Sequence, residues 1–108
     1  MIRLGHLASA RSGDKGNHAN VAVFARSESD FHWLREHLTV EVVARYFAPL
    51  GLTKVERFEA ANVWALNFML YNALAGGASR SLRIDTQGKT LGLAILEMMI
   101  PPPGKRKG

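Results

Sequence analysis

The chain contains no cysteine. That absence excludes disulfide frameworks, thiolate nucleophiles and cysteine-based zinc or iron–sulfur sites together. No run of about 18 apolar residues is present, so no membrane-crossing helix and no membrane partner is expected. The opening Met1-Ile2-Arg3-Leu4 enters an alternating pattern without a charged leader ahead of an apolar stretch, and a cytoplasmic protein is expected. Aromatics make up 8% of the chain, and Trp33, Trp64, Phe68 and Tyr71 fall in apolar stripes rather than among basic residues, which argues against nucleic acid as a partner. His32 and His37 are too far round a helix to share a face, and Asp14 with His18 makes only two metal ligands, so no metal site is expected.

Two nucleotide motifs are absent on inspection. Gly88-Lys89-Thr90 resembles the end of a phosphate-binding P-loop, but Arg83 stands where that motif needs its first glycine. Gly13 and Gly16 lack the spacing of a dinucleotide fingerprint and lie between two strand-like segments rather than at a strand-to-helix turn.

What remains is one domain's worth of chain. It has 108 residues, 47% of them hydrophobic, enough for a single core without staples, and no internal repeat. The net charge of +5 raises the prior for an anionic partner. Lys105, Arg106 and Lys107 carry three of those charges in the segment Pro101 to Gly108, which reads as a flexible, basic, proline-rich tail after a domain over residues 1–100.

Within that domain the hydrophobic pattern predicts a strand over Ile2 to Ala8, with His6 on the face of Ile2 and Leu4, and a strand apolar on both faces over Asn20 to Ala25. Ser27 to Asp30 supplies helix-start chemistry for Phe31, Leu34 and Leu38, and Thr39 caps a second helix bearing Val40, Val43, Ala44 and Phe47. Lys54 to Ala60 reads as a charged, half-exposed edge strand. Trp64 to Leu74 fits two patterns: two helical stripes, one of which would meet another subunit, or a strand alternating Trp64, Leu66, Phe68 and Leu70. Gly76-Gly77 breaks that element, Ser81 to Asp85 reads as a short strand, and Leu91, Ala94, Ile95 and Met98 predict a last helix despite Gly92. The sum is an α+β fold in two layers, a mostly antiparallel sheet with helices.

The stretch Ala10 to Asn20 concentrates the chemistry. Glycines at Gly13 and Gly16 would let successive N–H groups converge on an anion, with Arg11 and Lys15 at the rim; a plain turn around Ser12-Gly13-Asp14 is the competing reading. Asp14, Lys15 and His18 would converge for acid–base work if the stretch is a loop, and Ser12 would need His18 as its base to act as a nucleophile. Arg80, Arg83, Asp85 and Lys89 form a second polar cluster, which also reads as a solvated edge.

The run Leu7-Ala8-Ser9-Ala10-Arg11-Ser12-Gly13-Asp14-Lys15-Gly16-Asn17-His18-Ala19-Asn20 resembles the C-terminal domain of the acyclic terpene utilisation AtuA family. Ala65-Leu66-Asn67-Phe68, Ala73-Leu74-Ala75-Gly76-Gly77, Ser79 to Asp85 and Gly88-Lys89 resemble its other blocks in order. The resemblance implies a ferredoxin-like α+β domain that longer relatives carry behind a large N-terminal domain. It implies a place in catabolism of acyclic terpenes and of branched acids handled as coenzyme A thioesters, with such a thioester as ligand and no required cofactor. Arg11, Ser12, Gly13, Asp14, Lys15, Gly16, Asn17 and His18 match the family motif position by position, which favours a ligand-binding role for them; Arg80 and Arg83 lie in a second matching block. The expected partners are a second copy of the chain or a separate large AtuA-like chain. No catalytic residue is carried over.

Overall fold

The computed structural model describes residues 1–73 and 91–103. A short strand β1 (Ile2–Arg3) leads through one 3₁₀ turn (Leu4–His6) into β2 (Ala8–Lys15), which turns back as β3 (His18–Ala25). Helices α1 (Glu28–His37) and α2 (Val40–Tyr46) follow, then β4 (Lys54–Ala60), a 3₁₀ turn (Ala61–Val63) and β5 (Ala65–Tyr71). Residues 91–95 are helical (α3), and β6 (Met99–Ile100) returns to pair with β1. The main sheet is antiparallel in the order β2-β3-β5-β4.

Alternation in β3 and β5 sorts the two faces of this sheet. Ala19, Val21 and Val23 point with Leu66, Phe68 and Leu70 into a core that also takes Phe31 and Leu34 of α1 and Val43 of α2. The helices therefore lie on one face, as a two-layer α+β fold requires. Both cap assignments hold: Asp30 N–H donates to Ser27 Oγ at 3.1 Å and Val42 N–H to Thr39 Oγ1 at 3.2 Å, each satisfying a donor the helix cannot. Tyr46 Oη donates to the Ala94 carbonyl at 2.7 Å and joins α2 to α3.

Four expectations are resolved or refined by the structure. The strand over Ile2 to Ala8 is broken at Leu4, because the Leu4 and Gly5 amides turn aside to donate to the carbonyls of Met98 and Leu96; His6 is exposed and leaves the face of Ile2 and Leu4. Of the two patterns open for Trp64 to Leu74, residues 65–71 take the strand, β5, and the helical stripe expected to meet another subunit is split, with Phe68 buried and Trp64 39% exposed. The expected loop from Ala10 to Asn20 is almost wholly the β2–β3 hairpin, paired from Ala8↔Ala25 to Lys15↔His18. Its two-residue turn is Gly16-Asn17, with Gly16 at φ +64°, where glycine alone is unstrained. Finally, at the start of the expected tail the Pro101 carbonyl accepts a hydrogen bond from Trp33 Nε1 at 2.9 Å. The Gly76-Gly77 break, the Ser81 to Asp85 strand and the Arg80–Lys89 cluster lie outside the described residues.

Candidate functional site

The hairpin ladder changes what the glycine-rich stretch can do. In an extended strand successive N–H groups point to opposite sides, so those of β2 cannot converge on one anion. Side chains alternate in the same way. Ser12 pairs with Val21 and Asp14 with Ala19, which places both on the helix side of the sheet, whereas Arg11 pairs with Ala22 and Gly13 with Asn20 on the other side together with His18. Asp14 and Ser12 are thus separated from His18 by the sheet itself. A Ser12–His18 nucleophile pair is not formed; Ser12 Oγ instead accepts the Gly92 N–H at 2.8 Å. Lys15 stands opposite His18 in the register.

The face away from α1 and α2 is where chemistry gathers. Across the strands it reads Ser9, Phe24, Ala65 and Ala60 at one end, then Arg11, Ala22, Asn67 and Phe58, then Gly13, Asn20, Met69 and Glu56, and finally Lys15, His18, Tyr71 and Lys54. One end is apolar and the other is charged. At the charged end Tyr71 Oη donates to Glu56 Oε1 at 2.7 Å, and Lys54 Nζ meets Glu56 Oε2 at 3.0 Å. These contacts pull Glu56 below the usual carboxylate range, the Tyr71 hydrogen bond first and Lys54 after it. Glu56 in turn raises the Tyr71 hydroxyl and the Lys54 ammonium.

His18 is half-buried beside this group, its ring edge-on to Tyr71 with centroids 5.1 Å apart. Its Nδ1 accepts the Asn72 N–H at 2.9 Å. Asn72 sits at φ +63° as the chain leaves β5, and its Nδ2 donates to Thr53 Oγ1 at 2.8 Å. One row inward, Asn20 Nδ2 donates to Asn67 Oδ1 at 3.2 Å. Gly13 makes room for that pair, because a Cβ there would stand 3.3 Å from Asn20 Oδ1. Arg11 is exposed and makes no ion pair among the described residues. It lines a shallow depression of about 390 Å³ with Ser9, Ala10 and Phe24.

Of the residues singled out in the sequence, the structure brings Arg11 and His18 to one face and sends Ser12 and Asp14 to the other; Arg80 and Arg83 lie outside the described residues. Sequence reasoning missed Tyr71, Glu56, Asn20, Asn67 and Asn72 as their neighbours. Asn20 and Asn67 did carry a signal, each being a polar amide inside an otherwise apolar strand. Among the described residues no group of three acidic or histidine side chains is placed to hold a metal ion, and no helix is long and apolar enough to cross a membrane.

A four-stranded antiparallel sheet with helices on one face and this hairpin at its edge is the architecture of a ferredoxin-like α+β domain. The family model of the AtuA ferredoxin-like domain matches residues 2–101, and the chain belongs to that family. Neither the curated proteins nor the solved structures include a match to it.

Proposed function

We propose that this domain is an accessory or subunit component in catabolism of acyclic terpenes or branched acids, acting in the cytoplasm and holding an anionic group of a coenzyme A thioester on the sheet face away from α1 and α2. The observation that carries this reading is Arg11, a guanidinium without an ion pair among the described residues, on that face beside a depression and on the same side as His18. A guanidinium offers a planar fork of donors matched to carboxylate and phosphate. Side chains, and not a cradle of backbone amides, would make the contact. No cofactor is needed for such a role.

Isothermal titration with coenzyme A, a branched acyl-CoA and inorganic phosphate, at low and physiological salt, tests it. Saturable binding that survives physiological salt and is lost in Arg11→Ala is the expected result; equal affinity in Arg11→Ala and Lys15→Ala removes the anion role. A second reading is favoured by Phe58, Val63 and Trp64, which are 52%, 50% and 39% exposed at the β4–β5 end of the sheet. In it the domain is a non-enzymatic interaction module that docks a separate large AtuA-like chain or a second copy. Light scattering alone and with such a large chain separates the two, since a monomer that ignores the large chain ends the second reading.

A further inference from the structure

His18 has two ring nitrogens, and the fold commits one of them. The Asn72 amide has only a hydrogen to offer, so Nδ1 must present its lone pair at the 2.9 Å contact, and the proton of the neutral ring resides on Nε2. Nε2 has no partner among the described residues. The ring is held from two directions, by the Asn72 amide and by its edge contact with Tyr71. Asn72 is held too, through Thr53 and the Tyr71 carbonyl, to which Thr53 N–H donates at 2.9 Å.

A neutral imidazole fixed in this way is a donor at Nε2 and has no free lone pair with which to take a proton. This turns the acid–base expectation for His18 around. We propose that His18 is an oriented hydrogen-bond donor, Nε2–H outward, to an acceptor-only oxygen of a ligand whose other anionic group Arg11 meets, and that Asn72 is its positioning residue. The inference rests on the anion-binding reading above and narrows it: the ligand group is a phosphate or carboxylate oxygen, and not an ammonium or a hydroxyl that must lose its proton to His18. Arg11 and His18 lie on adjacent strands four residues apart along the face, roughly 14 Å along and about 5 Å across, so one small oxyanion does not meet both, whereas a ligand with separated anionic groups, as coenzyme A has, can reach each.

Two measurements on the full chain test this. Nitrogen-resolved NMR of the imidazoles in mildly alkaline buffer should show the His18 proton on Nε2 in the free protein; a proton on Nδ1, or averaging over both nitrogens, overturns the proposal. Titration with coenzyme A should then show about a 10-fold weaker affinity in His18→Ala. His18→Gln, which can place an amide N–H near the Nε2 position, should restore most of it. Wild-type binding that is unchanged in His18→Ala overturns the donor role alone and leaves Arg11 as the anion contact. No binding by the wild-type chain overturns both the donor role and the anion reading, so the two failures are told apart. Asn72→Gly keeps both the amide and the positive φ and should leave the tautomer unchanged, and a change to Nδ1–H in that variant overturns the positioning role as stated.

Discussion

The Gly92 amide donates to Ser12 Oγ at 2.8 Å across 80 residues of chain, and no side chain fits between them. A Cβ on Gly92 would stand 3.1 Å from that oxygen and 3.3 Å from the backbone of Arg11 and Ser12, which the hairpin ladder holds in place. Gly92→Ala should therefore lower stability by about 1 kcal/mol, the overpacking outweighing the gain in helix propensity. Urea denaturation checks it, and a stabilised variant would show that α3 can draw back from β2.

Gly16 is the opposite case. Nothing lies within 4 Å of a Cβ placed there, so only its φ of +64° resists substitution. Gly16→Ala should cost about 1 kcal/mol and Gly16→Asn less, because asparagine tolerates the left-handed region better. Thermal melts of the two variants give the order.

Arg57 donates from Nη1 to the carbonyls of Arg35 and Leu38 at 2.8 and 3.0 Å, and from Nη2 to Glu59 at 3.0 Å, with only 19% of its side chain exposed. It satisfies carbonyls that the end of α1 leaves open. Arg57→Ala should destabilise by about 1–2 kcal/mol, and Arg57→Lys should recover little, since an ammonium lacks the fork that reaches both carbonyls and Glu59. Equal chemical stability of the alanine variant and the wild type would contradict this.

The Tyr71–Glu56–Lys54 chain makes stability depend on pH at both ends. Glu56 is depressed by its contacts, so its contribution is complete above the ordinary carboxylate range and is lost as pH falls through its lowered value. Tyr71 and Lys54 are raised, so theirs is complete below their ordinary alkaline values and is lost as pH climbs through the raised ones. Melting temperature should then be flat between these limits, and the difference between wild type and Glu56→Gln should vanish in acid. A difference that persists below the carboxylate range would place its origin elsewhere.

The elements most legible in the sequence were those with local causes. Ser27 and Thr39 announce their helices by capping chemistry, and the alternating charges of Lys54 to Ala60 mark an edge strand with the bounds the structure shows. Residues 65–71 were ambiguous because a nearly all-apolar run satisfies both periods; pairing with β4 and with β3, roughly 40 residues away, decides for a strand. The hairpin was obscured by its own composition. Gly13 reads as a turn residue, yet it is glycine to leave room for Asn20. Arg11 and His18 were found from their local chemistry, whereas Tyr71, Glu56 and Asn72 join them only through cross-strand register, which no local stretch encodes.

The pairing of β1 with β6 has a mechanical consequence. Ile2 stands opposite Ile100 and Arg3 opposite Met99, so the outer ends of the two strands leave from the same side. A pull between those ends opens the ladder like a zip, one pair after another, instead of shearing all of its bonds at once. The load then reaches Leu4, whose amide holds the Met98 carbonyl at 2.7 Å, before it reaches the four-stranded sheet. Tension on the two ends would undo this clasp first, while the hairpin carrying Arg11 and His18 is still intact.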